Sequence, residues 1–247
     1  MNKKRLVYKL KEFTGKKIIA FFGLCIDAFQ GEIIFTDPHL IKGVKELENS
    51  WQIILEEYKA LCLKRDIPGI DEFFEEQKVL AANRSWRSFP LLIYGYELVE
   101  NTNDCPETTR LLQNIEGISA AMFSVISPQK EIPPHNGPYK GMLRIHLGLI
   151  VPGDISTCFI EIKGKRSGWQ AGRCIAFDDT HRHYAANHTE FDRVVLFIDV
   201  VRPLPFVLKQ FNKLLFHALA KSEFIQEAIS QYKPFGNETI RRIPTRF

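Results

Sequence analysis

Beginning near Ala120, the chain carries five short segments rich in β-branched and aromatic residues: Ala121–Ile126, Met142–Val151, Cys158–Lys163, Cys174–Asp178 and Arg193–Val201. Pro128, Gly137-Pro138, Pro152-Gly153-Asp154, Gly164, Ser167-Gly168 and Gly172 break them apart. No other part of the sequence narrows the fold as much. Strands this short cannot bury their apolar sides singly, and their regular spacing predicts a sandwich or jelly roll.

The flanks read as helix. Leu40, Val44, Leu47, Trp51, Leu55 and Tyr58 recur at three- and four-residue steps, which predicts a helix from Pro38 to about Lys64, opened by Asp37-Pro38. Phe89–Tyr96 predicts a strand and Thr108–Ile115 a short helix. Phe206–Lys221 sets Leu208, Phe211, Leu215 and Leu219 on one stripe and predicts an amphipathic helix; Lys233–Phe247 reads as irregular. The expected fold class is α+β, mainly β: a sandwich or jelly-roll core with N-terminal helices and a C-terminal helix. Its expected parts are a basic, helical region over 1–84, the β-domain over 85–203, and a helix with tail over 204–247.

A net charge of +4 argues against nucleic acid as a partner. Cys25, Cys62, Cys105, Cys158 and Cys174 form no CxxC pair, so neither a zinc ribbon nor a disulfide framework is expected, and a reducing, cytoplasmic setting follows. Residues 1–17 hold seven Lys or Arg against Glu12 alone, and Ile18–Ile26 is apolar but too short to span a bilayer. This segment is either a first helix packed on the core or, like 206–221, a peripheral contact with a membrane surface.

The chemistry-bearing residues lie among the strands. In an extended Met142–Val151, Arg144, His146, Gly148 and Ile150 share one side, while Ile145, Leu147 and Leu149 share the other. An arginine and a histidine beside a glycine that leaves space suggest an anion-binding face on a cavity; from this strand alone, a solvated face fits equally. Farther on, extended backbone would point Asp179, His181 and His183 the same way, with Arg193 a short loop beyond. Histidine is the commonest metal ligand, and an arginine fork binds a carboxylate through two parallel hydrogen bonds. His135-Asn136-Gly137 looks like the start of an iron-binding His-x-Asp with glycine in place of the carboxylate.

These residues resemble the aspartyl/asparaginyl β-hydroxylase family of Fe(II)/2-oxoglutarate-dependent dioxygenases, which also includes lipid A 2-hydroxylases. The resemblance runs from about Ser85 to Pro203. It rests on Phe123-Ser124, Pro134-His135-Asn136-Gly137-Pro138, Leu143–Leu149, Trp169-x-x-Gly172, Phe177-Asp178-Asp179-Thr180 with His183, and Arg193 before Ile198-Asp199-Val200 and Arg202-Pro203. It implies a double-stranded β-helix, a form of jelly roll. It makes His135 and His183 the iron ligands, gives the distal carboxylate of 2-oxoglutarate to Arg193, and completes the cosubstrate site with Ser124, Arg144 and His146. The implied reaction couples decarboxylation of 2-oxoglutarate by O2 to hydroxylation of a C–H bond. The family's β-hydroxylases carry glycine at the Gly137 position, whereas its lipid A hydroxylases have His-x-Asp, so the chain departs from the latter branch there. Asp179 is then the carboxylate expected to anchor a water in the vacant position. The substrate expected is a lipid acyl chain or a peptidyl Asp or Asn side chain. The competing reading is a non-catalytic jelly-roll module, or one binding zinc through His181 and His183.

Overall fold

The computed structural model describes residues 3–72, 84–232, 239–243 and 245. In chain order the strands are β1 (Phe35–Thr36), β2 (Trp86–Ile93), β3 (Tyr96–Leu98), β4 (Ile118–Ile126), β5 (Lys130–His135), β6 (Met142–Ile150), β7 (Cys158–Ile162), β8 (Lys165–Gly168), β9 (Cys174–Phe177), β10 (His183–Asn187), β11 (Arg193–Val201) and β12 (Ile240–Arg242). The helices are α1 (Lys3–Gln30), α2 (Val44–Asn49), α3 (Trp51–Lys64), α4 (Val99–Asp104), α5 (Pro106–Gln113), α6 (Phe206–Ala220) and α7 (Glu223–Tyr232). An antiparallel sheet of order β1-β9-β6-β11-β4-β2-β3-β12 faces a second of order β5-β10-β7-β8. This is the jelly roll that the strand spacing allowed and the family resemblance implied, carried with helices in a mixed α/β chain.

Each face of the larger sheet buries an apolar cluster. On the outer face Phe123, Val125, Ile145, Leu147, Leu196 and Ile198 pack under Leu47, Ile54, Tyr58 and Leu61 of α2 and α3 and Leu111 of α5. At ~1.5–3 kcal/mol for each large side chain removed from water, this layer anchors the helices to the sheet. Between the sheets Met122, Ile126, Phe177, Val195 and Phe197 meet Ile132, Ile160, Ile162 and Ala185. A third cluster, with Phe22, Ile26, Tyr139, Met142 and Phe216, seats α1 and α6 beside the end of the larger sheet.

Several expected elements differ in detail. The helix predicted over Pro38–Lys64 is three pieces: a 3-10 turn at Pro38–Leu40, α2 and α3. Gly43 breaks it with φ +96°, where a side chain would strike the backbone of Asn114 and Ile115. The Phe89–Tyr96 strand starts at Trp86 and turns at Tyr94-Gly95 into β3. The tail is not wholly irregular, because Ile240–Arg242 pairs with β3; residues 233–238, 244, 246 and 247 lie outside the described residues. The basic side chains before Gly15 also lie outside that description. Among the described residues no helix is long and apolar enough to cross a membrane.

Candidate active site

Two strands of the smaller sheet bring the paired histidines together. His183 opens β10 directly opposite His135, the last residue of β5, and the ring centroids lie 4.2 Å apart. Strand β5 is an edge, which explains how Pro133 and Pro134, lacking N–H groups, are tolerated in it. The same geometry recurs at both rings. His135 Nδ1 lies 2.9 Å from the Pro133 carbonyl and His183 Nδ1 lies 2.8 Å from the His181 carbonyl. A carbonyl can only accept, so each Nδ1 carries the proton and each Nε2 keeps a free lone pair. Burial lowers the pKa of His135, and burial together with His135 brings His183 down to about 3. Both rings are therefore neutral near pH 7, the form that ligates a metal.

The larger sheet supplies the opposite wall. Cross-strand pairing sets Ser124, Val195 and Gly148 in one row and Met122, Phe197 and His146 in the next. Arg193, two residues before Val195, is 1% exposed and lies over the Trp169 ring at 4.5 Å. Its Nε and Nη1 have no hydrogen-bond partner, and burial pushes its pKa down to about 10. Beside it the Trp169 indole N–H donates to His146 Nδ1 at 3.3 Å. That fixes the proton of neutral His146 on Nε2, another buried atom without a partner. Burial, then Arg193 and Arg144, hold the His146 pKa well below its ordinary value. Trp86 Nε1 donates to Ser124 Oγ at 3.0 Å, which leaves the hydroxyl proton available to a third group. A buried cation, an imidazole N–H and a hydroxyl are thus all donors; the first two lack a protein acceptor, an arrangement suited to an anion.

Arg144 sits on the same face as His146, as strand alternation predicted, but in a different role. Its Nη1 lies 2.8 Å from Asp179 Oδ2 and its Nε 2.9 Å from Asp199 Oδ1, and the guanidinium stacks over Phe197 at 4.2 Å. Two carboxylates already neutralise it. Asp179 in turn lies against Gly137: a Cβ built on Gly137 would collide with the Asp179 carboxylate, and the Gly137 N–H donates to the Asp179 carbonyl at 2.7 Å. The Asp179 carboxylate therefore occupies the space that a side chain at position 137 would enter. Burial raises the Asp179 carboxyl above its ordinary range while Arg144 pulls the other way.

Two expectations are corrected by this geometry. Gly148 does not leave open space, because a Cβ there would strike the Gln170 carbonyl; the gap admits the Trp169–Gly172 loop, which carries Trp169 into the site. His181 does not face the same way as His183, since its Nε2 lies 2.9 Å from the Ile33 carbonyl. A structural zinc site closes with four protein ligands. Among the described residues no three His, Cys, Asp or Glu side chains converge to hold a metal. Two imidazoles opposite an orphaned arginine suit instead a metal whose other positions are filled by a ligand bearing carboxylates. Trp86, Trp169 and Asp199 received no role from the sequence. Trp169 and Asp199 stand within quoted motifs, while nothing local marked Trp86.

The model of the aspartyl/asparaginyl beta-hydroxylase family matches residues 48–203. The chain is 35% identical over 189 residues to the ornithine lipid ester-linked acyl 2-hydroxylase of Rhizobium tropici, covering 76% of this chain and 67% of that protein. It is 27% identical over 165 residues to the aspartyl/asparaginyl beta-hydroxylase of Mus musculus, covering 65% of this chain but only 22% of that one. Among solved structures, a predicted oxalate decarboxylase from Thermotoga maritima aligns at a TM-score of 0.32 and 14% identity, over 47% of this chain and 81% of that one, a likeness too slight to bear on function. The match over 48–203 and the identity to the Rhizobium protein make this chain a hydroxylase that belongs to the aspartyl/asparaginyl beta-hydroxylase family.

Proposed function

We propose that the chain is an Fe(II)- and 2-oxoglutarate-dependent dioxygenase that hydroxylates an unactivated C–H bond of a lipid acyl chain. The observation that carries this reading is Arg193, a fully buried guanidinium with two unpartnered nitrogens, lying over the Trp169 ring whose N–H bonds His146. An unpaired buried cation is costly, and a dicarboxylate cosubstrate removes that cost on binding. The greater identity to a lipid acyl hydroxylase than to a peptide-type relative favours the lipid substrate.

His135 and His183 hold the metal through their Nε2 atoms. Iron bound there with 2-oxoglutarate and O2 supplies the oxidising power for inserting one oxygen atom into a C–H bond, with succinate and carbon dioxide as co-products. Arg193 takes the distal carboxylate of 2-oxoglutarate as a forked donor, and Ser124 Oγ and His146 Nε2–H donate beside it. Trp169 fixes His146 in the donating tautomer and shields Arg193 from water. Asp179, held by Arg144, presents a proton acceptor where a residue-137 carboxylate would otherwise stand. Arg144, paired with Asp179 and Asp199, holds Asp179 in that place.

Anaerobic addition of Fe(II) and 2-oxoglutarate should give a visible charge-transfer band, lost in His135→Ala, His183→Ala and Arg193→Ala. On admitting oxygen, succinate should form, and lipid extracts should gain one oxygen while Asp/Asn peptides remain unchanged. Absence of the band at millimolar 2-oxoglutarate would refute the oxygenase. Oxygen gained by the peptides alone would transfer the substrate to the peptide reading, which the mouse relative keeps open.

A further inference from the structure

Helices α1 and α6 are each apolar on two sides. Their inward sides supply Phe22, Ile26 and Phe216 to the third core cluster. Their outward sides repeat apolar residues at three- and four-residue steps, Phe21, Leu24 and Ala28 on α1 and Val207, Phe211, Leu214 and Ala218 on α6. Phe21 is 65% exposed, Leu24 67%, Val207 76% and Leu214 65%. The two helices adjoin, since the Phe22 and Phe211 rings meet edge to face at 5.2 Å. A helix packed on a core buries one stripe, so the second asks for another apolar phase.

Charge identifies that phase. Neither 13–26 nor 203–222 contains an Asp or Glu, while Lys16, Lys17, Lys209, Lys213 and Lys221 fall within them. Apolar side chains flanked by lysines match an anionic bilayer surface, where rings enter the acyl boundary and ammonium groups meet phosphate. The same helices hold the loop that follows the first site histidine. Tyr139 stacks on Phe22 and its hydroxyl donates to Asn212, Lys140 Nζ lies 2.6 Å from Asp27, and Asn212 Nδ2 donates to the Gly141 carbonyl at 2.8 Å. Only Asn136 to Pro138 separate that loop from His135.

We infer that the outward face of α1 and α6 docks the protein on an anionic membrane surface, lying along it without crossing it. Docked this way, the protein meets an acyl-chain substrate inside the lipid and need not extract it; to that extent the inference rests on the oxygenase reading.

The test is co-sedimentation of the full chain with vesicles of phosphatidylcholine alone or with about one-third phosphatidylglycerol. Binding should require the anionic lipid, weaken in high salt, and fall roughly tenfold in the double variant Phe21→Glu/Leu214→Glu. The thermal shift induced by 2-oxoglutarate and metal, measured without vesicles, should be the same in both proteins. Failure of the wild type to bind either vesicle, or equal binding by the variant, overturns the surface. So does light scattering that finds a wild-type dimer split by the variant, because a second copy then covers the face. Vesicle binding with no response to 2-oxoglutarate keeps the surface and removes the oxygenase.

Discussion

Gly137 and Asp179 compete for one volume, and that makes the residue at 137 a poor place to restore a conventional triad. In Gly137→Asp the new side chain would collide with the Asp179 carboxylate, so the variant should lose about 2 kcal/mol or more of stability by overpacking. It should also lose the anaerobic Fe(II)–2-oxoglutarate band. Adding Asp179→Gly to it should recover both, because Arg144 keeps Asp199 as a partner. A double variant no better than the single would show that the two carboxylates are not interchangeable. Arg193 tests the other end of the site. Arg193→Met removes a buried charge that has no protein carboxylate to satisfy it. Ligand-free melting should be unchanged or higher, despite the lost stacking on Trp169. Affinity for 2-oxoglutarate, read by calorimetry, should fall ~100-fold or more. A large fall in ligand-free stability would instead mean that Arg193 is chiefly structural.

At the scale of elements, the site depends on a loop as much as on strands. Trp169–Gly172 is pinned to β6, with the Gly148 N–H donating to Arg173 O at 3.0 Å and the Gly172 N–H to Gly148 O at 2.9 Å. Gly148→Ala would drive Gln170 away and take Trp169 with it. The expected result is ~10-fold weaker 2-oxoglutarate binding with metal binding at His135 and His183 kept, seen as a raised KM at nearly constant kcat. The alternation of β6 was legible because Leu143, Ile145, Leu147 and Leu149 form an unbroken apolar side. Strands β5 and β10 were not: Pro133-Pro134 reads as a break, and Tyr184-Ala185-Ala186 lacks the bulk of a core strand. Their pairing is a long-range property, so the facing of His135 and His183 could come only from the resemblance. Helix α4 went unseen because Asn101, Thr102 and Asn103 are weak helix formers. The tie between Arg144 and two aspartates was illegible for a similar reason, since Asp179 and Asp199 reach it from other strands and turns.

At the scale of the whole molecule, a buried charge cluster ties the ends of β9 and β11 together and, through Lys140 and Asp27, reaches α1. Burial alone would raise the Asp178 carboxyl, but Arg202 at 2.5 Å, the Thr180 hydroxyl and N–H, and Lys140 together hold it below the usual range. A depressed folded pKa means that its stabilisation is complete above the ordinary carboxylate value of 3.8 and disappears as pH falls below it. Asp178→Asn should therefore cost ~3 kcal/mol at pH 7, by stranding Arg202, and should flatten the decline in stability below about pH 4. Equal acid slopes in the two proteins would remove Asp178 from the account. The tryptophans add a practical consequence. Of three in the chain, Trp86 bonds Ser124 and Trp169 lies under Arg193, while Trp51 packs beside Gly172. Indole emission responds to nearby charge, so the site carries two native fluorophores. Titration with 2-oxoglutarate should change the intrinsic fluorescence through Trp169, and Trp169→Phe should silence most of that signal, giving an optical readout of occupancy that needs no turnover and no label.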